Sequence, residues 1–297
     1  MADYWLYPRF VRPSGIVVNR NRNGIWLRYT WYFGEHTGQA LQSLAARLES
    51  HGIRDAFFHV RSIKPDGTLT YRYPGPAKEL NQSLAKVAPN IRRVAWIFVD
   101  RSSVRVQDPL VRKKMVREAV WLVRACGFQG VQWDYEICPS DDPDFITLLK
   151  ETKQALPKNA YLGAAVPTWY PAPFASQGWS PDYYSEVARY CDGIAVMAYD
   201  SATYFPRAYV DWVASQVEVV TKAAARTNPA CQILIGVPTY KNSTPSHNPR
   251  TENLRLALIG VRQGLPHADL RTWQGVAVFA DYTTNNDDWN TLSTLWP

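Results

Sequence analysis

Three polar side chains stand at alternate positions in the run FQGVQWDYEI: Gln132, Asp134 and Glu136. Successive side chains of a strand point to opposite faces, so residues two apart share a face at a spacing of about 6.5–7 Å. A buried carboxylate is unfavourable unless paired or hydrogen-bonded, so two on one strand face suit a site better than a core. The chemistry they suit is proton transfer. A carboxylic acid that works near neutral pH needs a raised pKa, and a neighbouring carboxylate raises it. A purely structural alternative is a buried ion pair with Arg61 or another arginine of the same core.

Such a pair needs elements to hold it. Short apolar runs rich in β-branched and aromatic residues occur at 25–33, 55–60, 94–99, 130–137, 161–167, 193–199, 232–238 and 275–280, in the manner of buried parallel strands. Helical patterns alternate with them at 38–52, 77–87, 108–127, 142–156, 180–191, 209–225, 251–265 and 287–296. Asp142 before Pro143, Ser180 before Pro181 and Thr251 before Glu252 read as helix starts. Eight βα units in 297 residues predict a (β/α)8 TIM barrel. A doubly wound open sheet is the alternative, but neither GxGxxG nor GxxxxGK[ST] is present. No linker, repeat or low-complexity tract divides the chain, so a single domain over 1–297 is expected, with residues 1–20 an extra strand or an arm closing the barrel floor.

Barrel active sites sit at the C-terminal strand ends. Asp134 and Glu136 satisfy this at the end of the fourth strand, as do Arg61, Asp100, Trp169, Tyr199, Asp200, Tyr240 and Asp281 on the others. Arg61 and Asp100 suit substrate polar groups or a pairing across the barrel. Flat rings suit sugar faces, and Trp169, Tyr170, Tyr204, Tyr240 and Tyr282 follow strand ends, whereas Trp96, Trp121 and Trp212 read as packing.

The bulk properties narrow the function. The net charge of +7 and pI near 9.2 invite a nucleic-acid reading, but the basic residues do not cluster. The densest groups are RNRN from Arg20 and the run Val111–Arg117, the latter on a helix whose outer face is expected to be solvated. No run is long and apolar enough to cross a membrane. MADYWLYPRF lacks the parts of a signal peptide, which fits a cytosolic protein or one whose leader has been removed. Cys126, Cys138, Cys191 and Cys231 lack metal or redox spacing and read as buried free thiols, and the five histidines form neither HxxxH nor HExxH.

The chain resembles glycoside hydrolase family 18, the chitinase and endo-β-N-acetylglucosaminidase family. Its fourth-strand signature DGxDxDxE aligns with Gln129-Gly130-Val131-Gln132-Trp133-Asp134-Tyr135-Glu136, where the glycine, last aspartate and glutamate match and glutamines replace two aspartates. Met197-Ala198-Tyr199-Asp200 matches MxYD on the sixth strand. Gly236-Val237-Pro238-Thr239-Tyr240 matches the seventh up to Lys241, and Phe279 stands where the eighth usually brings a tryptophan.

The resemblance implies a cofactor-free, metal-free hydrolase acting on an oligosaccharide or polysaccharide with β-linked N-acetylhexosamine. Glu136 would protonate the leaving glycosidic oxygen, Asp134 and Tyr199 would position the 2-acetamido group, and Asp200 would bind sugar hydroxyls. The acetamido oxygen itself would attack the anomeric carbon, the substrate-assisted exception to the two-carboxylate scheme. Gln132 cannot share a proton with Asp134 but can donate an amide hydrogen bond to it and hold it ionised. The other readings are a carbohydrate-binding relative without activity, and a glycosidase for sugars lacking the acetamido group, with Asp200 or Asp281 as nucleophile.

Overall fold

Parallel strands buried on both faces read as continuous apolar runs, and all eight runs form such strands. The computed structural model describes residues 2–297. The strands are β1 (Asn23–Leu27), β2 (Ile53–Ser62), β3 (Arg92–Asp100), β4 (Gly130–Glu136), β5 (Tyr161–Val166), β6 (Gly193–Val196), β7 (Gln232–Pro238) and β8 (Trp273–Phe279). They pair in parallel in chain order, and β8 closes on β1. The helices are α1 (Ala2–Phe10), α2 (Tyr29–Phe33), α3 (Gly38–Ser50), α4 (Pro74–Val87), α5 (Pro109–Arg124), α6 (Pro143–Ala155), α7 (Pro181–Ala188), α8 (Pro206–Thr227), α9 (Leu254–Gly264) and α10 (Asn286–Leu295). The fold is a (β/α)8 barrel.

Local chemistry sets the helix starts. Asp142 accepts from the amides of Asp144 and Phe145, and Ser180 accepts from that of Tyr183, with proline at the first helical position in both. Thr251 does not start α9 as its sequence predicts. It is fully buried, and Asn253 caps the helix by accepting from the Leu256 amide.

Two expectations need correction. The first apolar run does not stay a strand to residue 33. β1 ends at Leu27, Arg28 is extended, and Tyr29–Phe33 turn into a short helix ended by Gly34 in the left-handed conformation at φ 77°. The aromatics Trp31 and Tyr32 are buried in that helix. A β-rich aromatic run thus leaves the barrel and packs against β2 and α4, because tertiary burial outweighs strand propensity. Of the two readings of residues 1–20, the extra strand does not form among the described residues. α1 lies along the flank, where Arg255 donates to the carbonyls of Pro8 and Val11 and Asn248 donates to the Tyr4 hydroxyl. The chain then runs down past α9 to the floor, where Arg20 donates to the carbonyls of Leu270 and Trp273.

Inside the barrel, polarity falls and then rises again. At the floor Arg92 makes a two-pronged bond to Asp55 (2.6 and 2.9 Å), donates to Gln232, and lies over the Tyr161 ring. Gln274 donates to the same buried carboxylate. Above it sits an apolar layer that includes Phe57, Val94, Ala195, Leu234 and Ala277. The Tyr161 ring fills the centre only because Gly163 and Gly193 beside it lack side chains: a Cβ on Gly163 would lie 2.7 Å from the ring and one on Gly193 closer still to its hydroxyl. The four cysteines are free and buried between barrel and helices.

Candidate active site

The alternation along β4 places Gln132, Asp134 and Glu136 on the inward face, at increasing height. Gln132 is fully buried, Asp134 is 2% exposed and Glu136 is half-buried. Asp134 and Glu136 line a pocket of about 280 Å³ at the C-terminal end of the barrel. Its other walls are Trp26, His59, Trp96, Phe98, Ala165, Met197, Tyr199, Asp200 and Phe279. They come from the middle and C-terminal parts of strands or from just beyond strand ends.

Indole donors fix the lower part of the row. Trp96 Nε1 donates to Asp134 Oδ2 at 2.7 Å, and Trp26 Nε1 donates to Gln132 Oε1 at 2.9 Å. The expected bond from Gln132 to Asp134 is not made, because the Trp26 indole holds the amide oxygen and Nε2 is left without a partner. Asp134 therefore takes its support from Trp96. Its Oδ1 accepts no hydrogen bond from a fixed donor among the described residues, and Glu136 is its hydrogen-bonding carboxyl neighbour.

The electrostatics follow from this burial. Asp134 is pushed well above the ordinary carboxylate range by burial and then by the charge of Glu136, with the Trp96 bond pulling the other way. Glu136 is raised by burial and by the Asp200 charge, while Asp134 as a hydrogen-bonding partner offsets part of it. Two carboxyls held this way retain a proton between them at pH values where a free carboxylic acid has lost it.

The sixth to eighth strands supply the opposite wall. β6 ends at Val196, earlier than its apolar run suggests, and Met197–Asp200 bend across the mouth. Tyr199 is buried and stacks on Phe279 at a ring distance of 4.9 Å, and burial raises its hydroxyl pKa. Gly236 makes room for it, since a Cβ there would lie 3.0 Å from the Tyr199 ring. Asp200 is exposed, has φ 56°, and accepts from the Tyr240 hydroxyl at 2.8 Å.

Several expected site residues lie elsewhere. Arg61 sits at a β2 bulge with its guanidinium over Tyr29, and it neutralises neither carboxylate. Asp281 accepts from the Arg28 amide and the Trp31 indole, tying β8 to the chain after β1. Trp169 is bound through its backbone to Gln216 and Trp212. Asp100 caps its own turn through Ser102 and Ser103. None of these four lines the pocket, and Tyr240 stands behind it, bonded to Asp200 and packed edge-on against Tyr199 and Phe279. Conversely Trp96, read from sequence as packing, is the ligand of Asp134, and Trp26 and His59 escaped notice. The alternation that marks β4 marks its neighbours too: Trp26, His59 and Trp96 all project inward.

The model of the family described as glycosyl hydrolases family 18 matches residues 28–294. The chain belongs to that family. It is a glycoside hydrolase. A search of curated proteins gives no match. Among solved structures, the Bacillus cereus spore cortex-lytic enzyme SleL is similar with a TM-score of 0.63 at 12% identity, over 96% of this chain and 76% of that one. A chitinase from Chromobacterium violaceum gives 0.63 at 15% identity, over 92% of this chain and 98% of that one. A GH18 chitinase from Cycas revoluta in complex with (GlcNAc)3 gives 0.62 at 14% identity, over 93% of this chain and 100% of that one. At such identities these likenesses speak to the fold.

Proposed function

We propose that the enzyme is a retaining glycosidase that cleaves β-linked N-acetylhexosamine glycans by substrate assistance. The observation that carries this is the pair Asp134 and Glu136 sharing a buried, proton-retaining environment in a pocket walled by Trp26, Trp96, Tyr199 and Phe279. Glu136, the higher and more accessible of the two, protonates the leaving glycosidic oxygen. Asp134 Oδ1, the oxygen that Trp96 leaves free, accepts from the acetamido N–H. The Tyr199 hydroxyl donates to the acetamido carbonyl, whose oxygen attacks the anomeric carbon as the glycosidic bond breaks. Water then opens the oxazolinium ion and returns a proton to Glu136. Asp200 and the aromatic walls hold sugar hydroxyls and faces.

The neighbouring chitinase folds and the retained acid favour this reading over a carbohydrate-binding relative. Of the two nucleophiles that an acetamido-free substrate could use, Asp281 is bound to Trp31 and the Arg28 amide outside the pocket, whereas Asp200 lines it, so the assay below separates the two readings. The test is a thiazoline analogue of the oxazolinium ion, assayed against hydrolysis of aryl β-N-acetylglucosaminide and chitooligosaccharides. Competitive inhibition well below the substrate KM is expected. Turnover confined to sugars without the acetamido group, with no effect of the thiazoline, would overturn the reading.

A further inference from the structure

Beside the pocket, the loop between β7 and α9 buries two side chains that the hydrolytic scheme does not use. His247 is 1% exposed and Glu252 is fully buried. His247 Nδ1 lies 3.4 Å from Glu252 Oε2 and 3.7 Å from Asp200 Oδ1, yet both ring nitrogens lack a hydrogen bond. A buried imidazole with neither nitrogen satisfied is unfavourable, so a further group is called for at Nδ1. The Tyr240 ring covers one side of the imidazole at 4.1 Å.

We propose that Asp200, His247 and Glu252 form a binding site for a divalent transition-metal ion of the zinc type. One ligand atom from each residue lies within 4.8 Å of the others. An ion with bonds of about 2.0–2.1 Å in a tetrahedral shell holds its ligand atoms about 3.3 Å apart, so small shifts close the set. Imidazole with two carboxylates favours zinc, manganese or iron over magnesium or calcium, which prefer all-oxygen shells. The ligands are oriented in advance. Glu252 Oε1 accepts from the Ser201 hydroxyl at 2.8 Å, which leaves Oε2 toward His247, and Asp200 is held by the Tyr240 hydroxyl. Such supporting bonds are characteristic of metal ligands. Three protein ligands leave a coordination position open. Asp200 also lines the sugar pocket, so an ion and a sugar hydroxyl meet at the same carboxylate. No spacing motif announces the site, because His247 and Glu252 come from one loop and Asp200 from the end of another strand.

The test uses the untagged full chain, stripped with chelator and titrated with zinc chloride by calorimetry near pH 7, beside His247→Ala and Asp200→Asn. One saturable zinc per chain is expected, with affinity lowered at least about 100-fold in either variant, since loss of a mere supporting partner already lowers it 10–100-fold. The thermal midpoint of wild type should rise with zinc and that of the variants should not. Asp200 is exposed, so its variant serves even if removing the buried imidazole impairs folding. No saturable binding by wild type up to about millimolar zinc, or binding unchanged in Asp200→Asn, overturns the proposal. Because the readout is metal bound rather than sugar cleaved, its failure is separate from failure of the hydrolytic reading.

Discussion

Asp134 holds two contacts that pull in opposite directions. The Trp96 indole favours its charged form, while burial and Glu136 favour the neutral one. Trp96→Phe keeps an aromatic ring, though a smaller one, and removes the donor. A hydrogen bond to a charged group is worth about 1.5–3 kcal/mol, so kcat/KM should fall roughly 10–100-fold, by steady-state kinetics on a chromogenic substrate. A variant as fast as wild type would show that the bond does not position Asp134. The raised pKa also has a consequence for folding. Unfolded, Asp134 ionises near its ordinary value of about 3.9; folded, it keeps its proton to higher pH. Its contribution to stability is complete below that ordinary value and is lost as pH rises through the native one. Asp134→Asn cannot ionise, so its thermal midpoint should gain on that of wild type as pH rises from about 4 to 8. A difference independent of pH would contradict the burial argument. The Asp200 charge raises Glu136, so Asp200→Asn should move the basic limb of the kcat/KM profile to lower pH, whatever it does to the maximum.

At the scale of elements, β4 was legible because its polar residues broke an apolar run at the strand period. The same alternation was present in β1, β2 and β3, but Trp26 and Trp96 are apolar enough to pass for core, and periodicity cannot tell an inward ring from an outward one. Position after a strand end fared worse as a guide. Asp281 and Trp169 both follow strands, yet the chain turns them toward α2 and α8, a direction set by loop packing that no short motif encodes. The Tyr29–Phe33 run had strand composition and became a helix packed against β2 and α4 for a comparable reason. Close packing inside the barrel supplies a test of β5. Gly163→Ala would drive a methyl group into the Tyr161 ring, and overpacking of this kind destabilises by about 1–3 kcal/mol. Urea unfolding should show that loss, and an unchanged midpoint would mean the ring is free to move.

Across the whole molecule, two polar zones face opposite ends of one barrel. At the floor the Asp55 carboxylate is met by Arg92 and by the Gln274 amide N–H, and Arg92 also donates to Gln232, while at the mouth Asp134, Gln132 and His59 each keep a polar atom without a partner. Satisfied polar groups stabilise, and unsatisfied ones are available to a ligand. Arg92→Met strands a buried carboxylate, so stability should drop by about 3–5 kcal/mol, with kcat/KM of the protein that remains folded little changed. Lost activity at full stability would break this division between floor and mouth. The chemistry is assigned to the mouth, and hydrolysis of chitooligosaccharides by wild type and by Glu136→Gln, with folding checked by circular dichroism, probes it. The account predicts turnover by wild type and a fall of at least about 100-fold in the variant, the scale of a lost general acid. A folded Glu136→Gln protein that cleaves as fast as wild type would contradict it.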